Sequence, residues 1–108
     1  MELSIKSYKL EIFIPESCLA QLQDALRVAG AGRIGNYDSC MSYSPVVGVW
    51  RPLDGANPYD GETGKLCTAP ELKVEVVCPH DRLDATIAGI KSVHPYETPV
   101  INIIPLLG

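Results

Sequence analysis

The segment HPYETP, His94 to Pro99, gathers an imidazole, a phenol and a carboxylate on one short stretch of chain. Pro95 and Pro99 stiffen the backbone around them, so His94, Tyr96 and Glu97 would keep a fixed mutual geometry. Histidine changes charge near neutral pH and is the commonest metal ligand. The trio could therefore hold a polar ligand or, through His94 and Glu97, a divalent metal. Two side chains are too few for a closed metal site unless another subunit supplies more. The plainer alternative is structural, with His94 capping the last carbonyls of a helix and Tyr96 packed under a sheet.

A second stretch, GAGRIG from Gly30 to Gly35, spells G-x-G-x-x-G. That pattern cradles a pyrophosphate only where a strand ends and a helix begins, because the helix N-terminus supplies the free N–H groups. Here a helical stripe precedes the glycines and a strand-like run follows, so the context is reversed. Gly30 or Gly32 is expected in the left-handed conformation that closes a helix, and Gly35 with Asn36 turns the chain. Arg33 and Arg51 are each the sole basic residue of glycine-rich surroundings and would make an anion patch if the central loop folded back on GAGRIG. Arg33, Asn36 and Arg51 thus join His94, Tyr96 and Glu97 as candidate ligand-binding residues. Catalytic patterns are thin: G-x-S-x-G, H-E-x-x-H and the phosphate-binding P-loop are all missing from the sequence.

The elements that must position these groups follow from periodicity. Tyr8, Leu10, Ile12 and Ile14 alternate with Lys9, Glu11 and Phe13, a half-buried strand. Pro15 and Glu16 suit a first helical turn, and Leu19, Leu22, Leu26 and Ala29 continue at helical spacing. Tyr37 to Tyr43 reads as a second strand. Ser44 to Pro70 is rich in turn formers and reads as a long insert, with Val47 to Pro52 in a small hairpin inside it and Trp50 as a packing residue. Leu72, Val74, Val76 and Cys78 mark a third strand. Asp81 with Asp84 resembles a capping box, Leu83, Ile87, Ile90 and Val93 form a second helical stripe, and Pro95 ends that helix at His94. Val100 to Leu106 is apolar on both sides apart from Asn102, which predicts a covered strand. The order predicts an α+β ferredoxin-like plait: a four-stranded antiparallel sheet, two helices on one face, and a long loop or hairpin insert between strands 2 and 3.

With 108 residues the chain has room for one domain, residues 1–108. Hydrophobic residues make up 46% and charged residues 20%, and no apolar run reaches the length a bilayer requires, so a soluble globular protein is expected. The net charge of −4 argues against nucleic acid as the main partner. MELSIKSYKL lacks the features of a secretory signal, which makes the cytoplasm the expected location. Cys18, Cys40, Cys67 and Cys78 contain no C-x-x-C pair and read as reduced, mostly buried thiols.

Three motifs in order, GAGRIGNYDSC, WRPLDGANPYDG and HPYETPV, resemble the stand-alone YqfO-like proteins and the insertion domain of the dinuclear-metal-centre hexameric protein family, with the likeness running from Tyr8 to Leu106. The resemblance implies a domain related to the PII signalling proteins and to CutA, which shares an H-P-Y-x-x-P segment after its second helix. Those relatives are trimers with clefts between subunits, so a homotrimer is expected, with a dimer as runner-up. The larger family's two-metal site lies in flanking domains and does not carry over. Thr98 stands where that family often has a second carboxylate, which weakens an acidic metal cluster here. The expected function is a non-catalytic small-ligand or partner-binding regulatory module. A CutA-like divalent-metal binder is the second reading, and a hydrolase the third.

Overall fold

A computed structural model describes residues 3–108. Strand β1, Ile5–Ile14, buries Leu10, Ile12 and Ile14 completely on one face. Pro15 leads into a 3₁₀ turn, Glu16–Cys18, which opens helix α1, Leu19–Ala29. The stripe Leu22, Leu26 and Ala29 is buried, as its spacing requires. Gly30, at φ 95°, closes the helix: its N–H bonds the Arg27 carbonyl, and that of Ala31 bonds Leu26. Gly32 is also left-handed, at φ 77°, and its N–H bonds the carbonyl of Val77 at 2.9 Å. GAGRIG is therefore a helix stop stitched to the sheet.

Strand β2 runs Met41–Trp50 and pairs antiparallel with β3, Cys67–Pro79, from Met41 opposite Val76 to Trp50 opposite Cys67. This corrects two expectations. The second strand begins four residues later than Tyr37, which only bridges to Ile34 across a tight turn. Val47 to Trp50 belongs to the same strand and forms no separate hairpin. The insert is thus a lengthened β2–β3 hairpin with residues 51–66 at its tip, because β-branched and aromatic residues here extend the ladder.

A 3₁₀ turn, His80–Arg82, precedes helix α2, Leu83–Val93. No side chain caps this helix, so the capping box expected of Asp81 and Asp84 does not form. Arg82 instead donates its Nε–H to the Ala29 carbonyl at 2.7 Å, tying the start of α2 to the end of α1. The helix ends before Pro95 with His94 extended at ψ 126°. Strand β4, Ile101–Leu107, completes an antiparallel sheet in the order β2-β3-β1-β4.

Both helices lie on one face, where Leu22, Leu26 and Ile90 pack with Leu10, Ile12, Leu72, Val74 and Val76. The other face carries a polar lattice: Lys9 pairs with Glu75 at 2.7 Å, Lys73 with Glu11 at 3.3 Å, and Asn102 donates to Glu11 at 3.2 Å. β4 is an edge strand and largely exposed, so the covered position expected for it is not found in one copy of the chain. All four cysteines are free, but only Cys78 is buried; Cys18, Cys40 and Cys67 are half-buried, which corrects the expectation that most would be hidden.

Candidate functional site

β1 ends with Ile14 opposite Leu72, whereas β2 and β3 continue to Trp50 and Cys67. The hairpin therefore overhangs the rest of the sheet, and Glu71 is the first residue of β3 beyond the end of β1. HPYETP leaves α2 at this same end. Between overhang and HPYETP lies a cleft of about 560 Å³, within the range of small-molecule sites. Phe13, Trp50, Tyr59 and Tyr96 line it, with Asp60, Glu71, Glu97 and Arg51 as charged groups. The chain's only Trp, its only Phe and two of its five Tyr are thus spent on one cleft.

Loop 51–66 is folded back to make one wall. The Trp50 indole donates to the Asp60 carbonyl at 3.0 Å, the Asn57 N–H donates to the Glu97 carboxylate, and the rings of Tyr59 and Tyr96 lie 5.9 Å apart. Gly61, at φ 111°, passes so close to Cys67 that a Cβ would sit 2.7 Å from its sulfur. Trp50 consequently does more than the packing expected of it, since it also fixes the loop.

Glu71 is buried at 8% exposure. Its Oε2 accepts the Tyr96 hydroxyl at 2.6 Å. The carboxylate fits because Gly48 has no side chain: a Cβ there would lie 1.8 Å from Oε1. Burial first, and then the bond to Glu71, push the Tyr96 phenol well above its ordinary pKa, so Tyr96 is a hydrogen-bond donor.

His94 stands behind the cleft and is not among its lining residues. It is buried, with Nε2 2.7 Å from the Phe13 carbonyl and Nδ1 accepting the Tyr96 N–H at 3.3 Å. These partners place the proton on Nε2. Burial lowers its pKa, against smaller opposing effects of the Phe13 bond and the Glu71 charge. His94 thus bolts the HPYETP turn to β1, a structural role like the plainer sequence alternative but directed at a strand carbonyl in place of helix carbonyls.

Of the six candidate residues, Arg51, Tyr96 and Glu97 meet in the cleft. Arg33 and Asn36 are exposed on the turn after α1, where Arg33 donates to the Gly35 carbonyl at 3.4 Å. That turn adjoins the Met41 end of β2, and ten strand residues at ~3.4 Å each separate it from Arg51. Within one chain the Arg33 and Arg51 patch does not form, because the central segment first continues outward as strand β2, and loop 51–66 folds over the far end of the sheet, away from GAGRIG. The metal pair fares similarly: both ring nitrogens of His94 are engaged, Glu97 accepts Asn57, and among the described residues no three of His, Cys, Asp and Glu are grouped to hold an ion. Within one chain, then, both members of the expected metal pair already have other partners. Sequence reasoning missed Glu71, Gly48 and Asp60. Glu71 alternates in phase with Lys73 and Glu75 and so reads as a solvent-facing charge.

No protein-family model matches the chain. It is 38% identical over 99 residues to the GTP cyclohydrolase 1 type 2 homolog of Halalkalibacterium halodurans, covering 92% of this chain and 27% of that protein. The Bacillus subtilis protein of the same name is 39% identical over 98 residues, covering 91% and 26%. The chain spans about a quarter of the length of these curated relatives. Among solved structures, a Bacillus cereus protein related to NIF3 superposes with a TM-score of 0.82 at 26% identity, over all of this chain and 31% of that one. The periplasmic divalent cation tolerance protein CutA of Archaeoglobus fulgidus gives 0.67 at 19% identity, over 93% of this chain and 83% of its own. B. subtilis GlnK, solved with ATP, gives 0.63 at 16%, over 95% and 85%. The last two establish the fold alone, a PII/CutA-like ferredoxin-like plait. The kinship with the YqfO-like proteins that three motifs suggested is borne out.

Proposed function

We propose that this chain, a relative of one segment of the YqfO-like proteins and a PII/CutA-like module by fold, is a non-catalytic small-ligand-binding regulatory unit acting as one domain over residues 1–108. The observation that carries the reading is the cleft under the β2–β3 overhang, where the chain's scarce aromatics meet a buried carboxylate and a fixed phenol. Such a concave, mostly apolar site with a few placed polar groups is what small-molecule recognition requires. The loop and HPYETP walls meet through the Asn57–Glu97 hydrogen bond and the Tyr59–Tyr96 ring contact, and a ligand between them would stiffen both. That coupling gives ligand binding a structural output. The fold relatives lend support in kind, since GlnK was solved with ATP.

The remaining parts of the proposal are self-association as a homotrimer, with a dimer as runner-up, and action in the cytoplasm. No described helix is long and apolar enough to cross a membrane. Native mass spectrometry of untreated protein tests the module reading. A retained small molecule in the wild type that is absent from Tyr96→Ala, at unchanged oligomer mass, is the expected result. Stoichiometric metal retention with no organic ligand would favour the CutA-like reading, and turnover of a GTP analogue by this chain alone would favour the enzyme.

A further inference from the structure

We infer that the cleft recognises a protonated amine on an apolar or aromatic body, with Glu71 as its counter-ion. The inference rests on the ligand-binding reading above and names the ligand's chemistry.

Glu71 is a buried carboxylate with no cationic partner among the described residues. The nearest lysine on its own strand face, Lys73, pairs with Glu11 at 3.3 Å, and Lys9 pairs with Glu75. Arg51 lines the cleft but is exposed and forms no ion pair with Glu71. Carboxylates of so little exposure are usually paired with a cation. Since every fully buried side-chain oxygen among the described residues has a hydrogen-bond partner, the partnerless oxygen of Glu71 still reaches solvent through the cleft. One oxygen of Glu71 is held by Tyr96; Oε1, above the bare backbone of Gly48, accepts no hydrogen bond from any described residue. The side chain is thus pre-oriented toward the cleft with one acceptor free.

The surroundings suit the same guest. Three carboxylates, Asp60, Glu71 and Glu97, line the cleft against one guanidinium. That balance disfavours the anion expected from the isolated arginines and favours a cation. Trp50 and Tyr59 add π faces that attract an ammonium group, and a cleft of about 560 Å³ leaves room for an apolar body beside it. An N–H⁺ group, unlike a quaternary ammonium, can also use the free Oε1 as an acceptor.

The test uses the full chain and three probes of one shape: phenethylamine, 2-phenylethanol and 3-phenylpropanoate. Trp50 is the only Trp and lines the cleft, so its fluorescence reports occupancy at this site. The amine is expected to bind at least ten-fold tighter than the alcohol and the carboxylate weakest, with Glu71→Gln removing the preference for the amine. Equal binding of amine and alcohol, or tightest binding of the carboxylate, would overturn the cation inference while leaving a ligand cleft standing. Absence of any Trp50 response would overturn it too, and the retained-ligand measurement then judges the cleft separately. Because the three-probe comparison in the wild type decides the sign of the charge, the test survives a failure of Glu71→Gln to fold. An amine preference that persists in a folded Glu71→Gln would also sink the assignment.

Discussion

His94 and Tyr96 show how two neighbours in one motif acquire different duties. Burial lowers the His94 pKa in the folded chain, so the unfolded chain, with histidine near ~6.5, takes up the proton first. Stability from this residue is therefore complete above ~6.5 and declines as pH falls from there toward the folded pKa. Urea unfolding should show the wild type weakening as pH falls below ~6.5. His94→Gln, which keeps a donor for the Phe13 carbonyl but cannot titrate, should show a shallower decline. Parallel curves for the two proteins would remove His94 from the explanation. Tyr96→Phe keeps the ring against His94 and Tyr59 but strips Glu71 of its hydroxyl donor. A loss of ~1–3 kcal/mol is expected from unfolding midpoints, as for a buried polar group left without its partner. A change within error would mean that water replaces the hydroxyl at no cost.

At the scale of elements, the sequence was legible where one period governed a segment. β1, α1, β3 and α2 each bury one face, and their boundaries follow from Pro15, Gly30 and Pro95. It was less legible in β2, whose serines, Pro45 and Gly48 resemble a loop, and whose strand identity comes from pairing with β3. The cleft was half legible. Tyr96 and Glu97 announce themselves within a stiff motif, whereas the burial of Glu71 depends on a hairpin overhang and a distant turn meeting above it, which no local pattern encodes. The glycines of GAGRIG permit a direct test of its role as a helix stop stitched to the sheet. At Gly32 the left-handed backbone is compounded by crowding, since a Cβ would lie 2.9 Å from the Cys40 carbonyl oxygen. Gly35 is left-handed too, at φ 57°, but has nothing within 4 Å. Gly35→Ala should cost about 1 kcal/mol, the left-handed penalty alone, and Gly32→Ala clearly more. Equal costs by chemical denaturation would show that the Cys40 backbone yields and the close approach is not a constraint.

For the whole molecule the open question is what covers the sheet's edges and its second face. Natural sheets protect edge strands with charged residues, prolines or covering elements. β2, MSYSPVVGVW, and β4, INIIPLL, each contain one proline and no charged residue, and they leave Tyr43, Val47, Val49, Ile103 and Leu107 exposed. A single copy is thus left with two apolar, uncharged edges, a known route to uncontrolled pairing. Closed association of identical copies buries such edges symmetrically. The open face between them is suited to burial in a specific way, because at its centre four charges are already paired within the chain, Lys9 with Glu75 and Lys73 with Glu11, and the unpaired Glu71 lies apart at the cleft end. Those pairs need no ionic partner from a neighbour, and so association should be carried by apolar contact. The expected outcome is a homotrimer at micromolar concentration by light scattering and native mass spectrometry, with little dependence on salt. Introducing a charge at the β2 edge by Val47→Lys, or at the β4 edge by Ile103→Lys, should shift the population toward monomer while leaving the far-ultraviolet circular dichroism unchanged. A wild-type monomer at that concentration would overturn the assembly, and a trimer that dissolves in moderate salt would show that intersubunit charges, instead of the apolar edges, hold it together.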